Sequence, residues 1–137
     1  MTRETIRRIP ELNNQILRDE AQLRYLKEKA TSVPALSTKE KVQSSRQNDS
    51  MKYADAAVDL EVELVKKRDE LRELTEEAIE WIETLDTSRE RRIFRMRLIQ
   101  CYTWEEIADL IGYSRRRTFE IAESVIQSKT ASEKIVI

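Results

Sequence analysis

The sequence predicts an all-α protein, and two features of its composition and pattern support this class. The 137 residues include one Gly and two Pro, so the chain has few residues suited to the tight turns of β-sheets, which need positive φ. Charged residues make up 37% of the chain, and the apolar residues between them recur at helical spacing. We expect a long N-terminal helical hairpin over residues 1–86, three short helices within 87–128 and a C-terminal tail at 129–137.

The composition also excludes several kinds of active site. The chain has no His and one Cys, so it cannot form a Ser-His-Asp or Cys-His catalytic pair, a Cys/His zinc site or an internal disulfide. One Gly cannot supply a glycine-rich phosphate loop. No apolar run reaches the length of a membrane span. We therefore expect a cytoplasmic protein without a metal, cofactor or membrane partner, which acts by binding and not as an enzyme.

The first helix is predicted over residues 10–30 because apolar residues recur there every seven positions. Pro10 suits the first turn of a helix, and Asp19 interrupts the apolar seam. The three arginines ahead of this segment form either a frayed basic arm or a further helical turn. The members of the seam are Ile9, Ile16, Leu23 and Ala30, and the three arginines are Arg3, Arg7 and Arg8.

A second and longer helix is predicted from residue 50 to 86, after a mobile connector at 31–50 that contains Pro34 and several serines. Its length would be about 55 Å, against about 30 Å for the first helix. Part of its apolar seam would therefore lack a partner in a hairpin and would cover the C-terminal domain, a second subunit or both. Among these alternatives we expect a homodimer. The seam consists of Ala57, Leu60, Leu64, Leu71, Leu74, Ala78, Trp81 and Leu85, flanked by Val58, Val62 and Val65.

Three further helix starts are predicted near the C-terminal end. Thr87 with Glu90 and Thr103 with Glu106 match the capping-box spacing T-x-x-E, and Ser114 is a suitable N-cap. These signals predict helices over 88–100, 104–111 and 115–128. The only glycine, Gly112, separates the last two helices, as in a helix-turn-helix.

The last of these helices has one apolar face and one polar face. An inward stripe is expected from Thr118, Ile121, Ala122 and Val125, which follow the spacing i, i+3, i+4, i+7. The outward face would then carry Arg116, Phe119, Glu120 and Glu123, with Arg115 and Arg117 beside them. The N-terminal end of such a helix fits the major groove of DNA. Backbone N–H groups near Thr103 and Ser114 could hold phosphates.

The segment from Arg89 to Val125, RERRIFRMRLIQCYTWEEIADLIGYSRRRTFEIAESV, resembles region 4 of the sigma-70 family. The whole chain also resembles late transcriptional activators of the RinA and ArpU type from phages and prophages, including a K-V-Q-S-S-like connector at 41–45. The resemblance implies base and phosphate contacts at Arg115, Arg116, Phe119 and Glu120. With the flanking positions, the candidate DNA-binding residues are Thr103, Trp104, Ser114, Arg115, Arg116, Arg117, Phe119 and Glu120.

Two of these positions depart from the sigma pattern. Phe119 stands where a basic residue is common, and Glu120 where Gln is common. Phe119 would either pack on a thymine methyl group or lie against the long helix. Trp104 is more often a packing residue than a ligand contact.

The net charge of −1 conceals a segregation along the chain. Residues 1–52 carry eleven basic and seven acidic side chains, residues 53–88 carry four and twelve, and residues 89–137 carry ten and seven. The net positive charge of residues 1–52 and 89–137 suits a polyanionic partner. The alternative interpretation is that the acidic block at 53–88 is the solvent-exposed face of a helix. The arginines after Thr87 would contact phosphate or pair with the acidic helix; they are Arg89, Arg91, Arg92 and Arg95.

Three functions are compatible with these features. The first is a DNA-binding transcription regulator, encoded by a phage or prophage and acting as an activator, whose partner is double-stranded DNA. The second is an interaction module that binds RNA polymerase or a sigma-type partner without touching DNA. The third is a DNA-packaging component similar to a small terminase subunit, which would form a ring of many subunits.

Overall fold

A computed structural model describes residues 1–31 and 40–130 of the chain, and the described part consists of helices without strands. The all-α class predicted from the sequence is therefore confirmed. The helices are α1 (Arg3–Thr31), α2 (Glu40–Glu83), α3 (Ser88–Phe94), α4 (Trp104–Ile111) and α5 (Arg115–Lys129). Within the described ranges, no helix is both long enough and apolar enough to cross a lipid bilayer. The residues predicted as a tail lie, after residue 130, outside the described part.

The chain divides into two compact units. The central unit is Asn14–Asp69, and the terminal unit combines Met1–Asn13 with Glu70–Ile137. This division differs from the predicted boundary between residues 86 and 87. The start of α1 and the end of α2 belong to the terminal unit, together with the three short helices, because they share one apolar core with them.

In the central unit, oppositely charged side chains on α1 and α2 pair in opposite sequence order. The Lys67 ammonium lies 2.5 Å from the Asp19 carboxylate, and the Lys27 ammonium lies 2.7 Å from the Glu61 carboxylate. The first pair explains why an acidic residue interrupts the apolar seam of α1, since its carboxylate has a partner on α2. Among the residues of this unit whose burial the structure describes, the buried apolar ones are Ile16, Leu26, Ala57 and Leu64.

Helix α1 begins seven residues before the predicted start, so the expectation that Pro10 occupies the first turn is wrong. Thr2 caps the helix by accepting a hydrogen bond from the Thr5 backbone N–H at 3.1 Å. The buried Pro10 therefore lies inside the helix, where a missing N–H costs free energy. Burial of Ile6 and Ile9 in the terminal core offsets this cost and holds the first turns in place.

Helix α2 begins at Glu40, ten residues before the predicted start. The prediction of a mobile connector is therefore wrong for residues 40–50, and residues 32–39 lie outside the described part. Residues 40–50 contain no Gly or Pro and include Lys, Gln and Arg, which are good helix formers. A helix can continue through such a segment without an apolar stripe.

The terminal unit is built around the ring of Phe94, which is fully buried. The Trp81 ring packs edge-on against it, with 5.0 Å between ring centroids. The Trp81 indole Nε1–H donates a hydrogen bond to the Lys129 carbonyl at 2.8 Å, which fixes the end of α5 to α2. The other core residues are Ile6, Ile9, Ala78, Ile82, Leu85, Ile93, Met96, Leu98, Ile107, Ala122, Val125 and Ile126.

Helix α3 begins at the predicted capping box, where Thr87 and Glu90 satisfy each other's backbone N–H groups. Its continuation over Arg95–Ile99 is π-helical, so the predicted helix 88–100 changes its hydrogen-bond register midway. The turn that follows places Cys101 at φ +56°, in the left-handed region. Burial raises the pKa of the Cys101 thiol, so the thiol is a packing group and a poor nucleophile.

Candidate nucleic-acid interface

The turn between α4 and α5 is fixed by local hydrogen bonds. Thr103 and Glu106 form the predicted capping box at the start of α4. At its end, Gly112 adopts φ +77°, and the N–H groups of Gly112 and Tyr113 both donate to the Ala108 carbonyl, at 3.0 and 3.1 Å. A left-handed Gly with two such bonds ends a helix and redirects the chain within two residues.

Helix α5 starts immediately after this turn. The Ser114 side chain accepts a hydrogen bond from the Arg117 backbone N–H at 3.1 Å, which confirms Ser114 as the N-cap. The Thr118 side chain is fully buried, and its hydroxyl donates to the Ser114 carbonyl at 2.9 Å. The first turn of α5 is therefore stabilised by the Ser114 cap and by the buried Thr118 side chain.

The inward face of α5 is close to the predicted one. Thr118, Ala122 and Val125 are buried, as expected. Ile121 is only half-buried, and Ile126 joins the core although it was not predicted to do so.

The outward face presents the predicted exposed side chains with one exception. Arg115, Arg116, Arg117, Phe119 and Glu120 are exposed, and the side chain of Arg116 is 91% accessible. The exception is Glu123.

The prediction that Glu123 points into solvent is wrong. The Glu123 side chain is half-buried and lies 2.7 Å from the Arg3 guanidinium. This hydrogen-bonded pair lowers the pKa of the Glu123 carboxyl below its ordinary range. It also shows that the N-terminal arginine belongs to a helical turn and is not a frayed arm. Arg3 and Glu123 are 120 residues apart in the sequence, so no local sequence pattern predicts their contact.

The arginines of α5 differ in their partners. The Glu120 carboxylate lies 3.2 Å from the Arg116 Nε and 3.9 Å from the Arg117 Nη1, so it partly neutralises both side chains. Arg115 forms no ion pair with the side chains that the structure describes, which are those of residues 1–31 and 49–130. One carboxylate therefore pairs with two of the three guanidinium groups, which leaves the start of α5 positively charged.

Trp104 and Phe119 form the apolar part of this surface. Their rings meet edge-on, with 6.3 Å between centroids. Phe119 does not take the predicted alternative position against the long helix but packs on Trp104 and remains 52% exposed. An open groove of about 610 Å³ is lined by Trp104, Arg115, Arg116, Phe119 and Glu120. Five of the eight predicted DNA-binding residues therefore meet at one place.

The starts of α4 and α5 differ in their suitability for phosphate. The first turn of α4 carries Glu105 and Glu106, whose charges would repel an anion. The first turn of α5 carries no acidic residue and begins with three arginines. Phosphate contact is therefore favoured near Ser114 and disfavoured near Thr103, although both positions were predicted to supply free N–H groups.

The arginines of α3 are distributed among different partners. The Arg89 guanidinium donates to the Tyr113 hydroxyl at 2.7 Å and lies 5.5 Å from the centre of that ring. The Arg91 guanidinium donates to the Leu85 carbonyl at 2.7 Å. Arg89 is thereby brought beside the turn that precedes α5, whereas Arg91 binds the turn between α2 and α3. Neither pairing had a sequence signal, since both join residues on different elements.

Arg92 and Arg95 lie at a second place in the terminal unit. The Arg95 guanidinium lies 3.4 Å from the Glu83 carboxylate of α2. Of the two predicted alternatives for this arginine, the structure therefore shows pairing with the acidic helix. Arg92 has no ion pair in the described part of the chain. These two arginines line a groove of about 450 Å³ with Met96, Ile99, Gln100, Tyr102 and Leu110.

One side chain that supports this surface was not anticipated from the sequence. The Arg97 guanidinium stacks on the Trp104 ring at 4.8 Å and donates to the Tyr102 carbonyl at 2.9 Å. Burial lowers the pKa of this guanidinium, which remains charged at neutral pH. Arg97 thus fixes the tryptophan that supports the exposed surface. No known sequence motif places an arginine seven residues before a tryptophan, so the sequence did not predict this contact.

Comparison with known proteins gives no relative from which a function can be transferred. No protein-family model, no curated protein and no solved structure matches the chain. Among the described residues, no group of three or more Cys, Asp or Glu side chains could hold a metal ion.

Proposed function

We propose that the protein is a sequence-specific DNA-binding transcription regulator. In this proposal α4, the Gly112 turn and α5 act as a helix-turn-helix, and α5 enters the major groove of double-stranded DNA as in sigma-70 region 4. The observation that carries the proposal is the set of three exposed arginines on the first turn of α5. They follow a left-handed turn directly and stand on a helix whose opposite face is buried.

Three physical properties of this surface support the proposal. Guanidinium groups bind phosphates and the guanine O6/N7 edge with paired hydrogen bonds. A helix N-terminus adds a partial positive charge at the same place. The buried Thr118 and the Ser114 cap hold the backbone of this turn, so the arginines are presented from a fixed base. The resemblance to phage and prophage activators suggests that the regulator acts as an activator.

The binding test uses fluorescence anisotropy with a duplex selected from a random pool at low salt. The affinity should fall steeply as the salt concentration rises. Arg116→Ala should weaken binding to the selected duplex by about 1–3 kcal/mol. Arg24→Ala is a matched control, because it removes one exposed arginine from α1 and should leave the affinity almost unchanged.

Two results would contradict the proposal. One is a selection that enriches no sequence while circular dichroism shows the helical fold intact. The other is an equal effect of Arg116→Ala and Arg24→Ala, which would mean that only net charge matters.

We propose that the regulator is a homodimer and that α2 contributes the interface in the central unit. Three residues of α2 recur every seven positions and are more than half exposed: Met51, Val58 and Val65. Val62, on the same face, is 51% exposed. Apolar residues at this spacing pair with the same stripe of a second helix in coiled coils.

Sedimentation equilibrium tests this assembly. The wild type should be a dimer at tens of micromolar, and Val58→Glu should shift it to monomer because a carboxylate would be buried at the centre of the seam. Lys66→Glu on the same helix is the control for added negative charge. A monomeric wild type would contradict the dimer, and a ring of many subunits would favour the packaging function.

A protein-binding function is the second candidate, and the groove beside Arg92 favours it. Ile99 and Leu110 line this groove and are 40% and 53% exposed. An apolar groove with a basic rim suits a segment of RNA polymerase or of a sigma-type partner. The variant with Arg115, Arg116 and Arg117 replaced by alanine separates the two functions. If it keeps full activity in transcription with purified polymerase, DNA contact by α5 is not the function.

A further inference from the structure

Phe119 is exposed on the face of α5 that the terminal core leaves free. Its side chain is 52% accessible, although a phenylalanine gains about 1.5–3 kcal/mol from complete burial. It lines one groove with Arg115, Arg116 and Glu120. A half-exposed aromatic ring among charged side chains provides an apolar contact at the place where the arginines provide polar ones.

The ring is supported from below by a series of aromatic contacts that ends in the core. Phe119 meets Trp104 edge-on at 6.3 Å, and Trp104 meets the fully buried Phe94 edge-on at 6.4 Å. The Arg97 guanidinium lies over the Trp104 ring at 4.8 Å. These contacts limit the movement of Trp104 and therefore fix the base on which Phe119 rests.

The surrounding charges indicate what kind of group the ring would meet. Glu120 pairs with Arg116 and Arg117, while Arg115 is without an ion pair in the described part of the chain. A ligand here must offer an apolar group next to negative charge. In the major groove of DNA, thymine is the base that places a methyl group beside the phosphate backbone.

We propose that Phe119, backed by Trp104, takes the C5-methyl group of one thymine in the bound DNA and thereby sets a sequence preference at that base pair. This inference rests on the proposed function, since it requires α5 to lie in the major groove. It adds a specificity determinant that works through an apolar contact instead of a hydrogen bond.

The test replaces each thymine of the selected duplex, one at a time, with deoxyuridine, which removes only the methyl group. For the wild type, one position should lose about fourfold in affinity, the effect expected for one buried methyl group. The other positions serve as internal controls. Phe119→Ala should bind the thymine and deoxyuridine duplexes equally well, whereas Phe119→Leu should keep part of the preference.

The outcomes separate this inference from the function on which it rests. If the wild type binds a selected duplex and Arg116→Ala weakens binding, but no deoxyuridine substitution has an effect, the methyl contact is wrong and DNA binding stands. If Phe119→Ala keeps the wild-type preference for thymine, another side chain makes the contact and the inference is again wrong. If no duplex is bound at all, both proposals fail.

Discussion

Replacement of Gly112 by alanine tests whether the turn before α5 depends on a left-handed backbone. The residue has φ +77°, and a Cβ atom added to it would meet no heavy atom within 4 Å. The substitution should therefore cost only the backbone strain of a non-glycine residue, about 1–2 kcal/mol. The reduced entropy of the unfolded chain returns about 0.4–1 kcal/mol of this. The net loss should be about 1 kcal/mol.

Urea unfolding followed by circular dichroism measures this loss. With a slope of about 1–3 kcal/mol per molar urea, the midpoint should fall by roughly 0.5 M. Gly112→Asn is the matched control, because asparagine tolerates the left-handed region better than alanine and should lose less stability. A loss above about 3 kcal/mol for alanine would show that the site is not open. Equal stability of wild type and Gly112→Ala would show that the turn does not need a positive φ.

Three further predictions concern the terminal unit. Phe94→Ala should reduce the free energy of unfolding by about 3–5 kcal/mol in urea titrations, because its ring is fully buried, whereas Phe119→Ala should cost about 1–2 kcal/mol, because about half of its ring is already exposed. Trp81→Phe should cost about 1–3 kcal/mol in the same assay, since the carbonyl at the end of α5 loses its donor. The pKa of Glu123 is lowered in the folded state by its hydrogen bond with Arg3, so this pair stabilises the protein above the ordinary carboxyl pKa and ceases to do so as the pH falls through the lowered value. The melting temperature of Glu123→Gln should therefore fall less between pH 6 and pH 3 than that of the wild type, and parallel curves would contradict the assigned pair.

The sequence predicted the local features of the candidate site well. The capping boxes at Thr87 and Thr103, the cap at Ser114 and the left-handed turn at Gly112 are all confirmed. Each of these features depends on residues within five positions of one another. Hydrogen bonds of this range follow from residue type and spacing, without knowledge of the rest of the chain.

Features that depend on distant residues were not predictable in this way. Ile6 is buried in the core of the terminal unit together with residues from distant parts of the sequence, such as Ala78 and Val125, and its own flanking residues do not predict this burial. Glu123 has the spacing of a solvent-facing residue on α5 but pairs with Arg3. The start of α2 at Glu40 was also missed, since a helix can extend beyond its apolar stripe. In each case tertiary contacts or helix propagation outweighed the local pattern.

The terminal unit combines two segments that are far apart in the sequence, Met1–Asn13 and Glu70–Ile137. This arrangement affects the order in which the units can fold during protein synthesis. All residues of the central unit are synthesised before residues 70–137 of the terminal unit, so the central unit can form first. The segment Met1–Asn13 must wait until its partners around Glu123 are translated. At about 5–20 residues per second the delay is roughly 6 to 20 s. During this interval Ile6 and Ile9 lack the part of their core that α5 supplies, so their apolar side chains stay open to other contacts until α5 has been made.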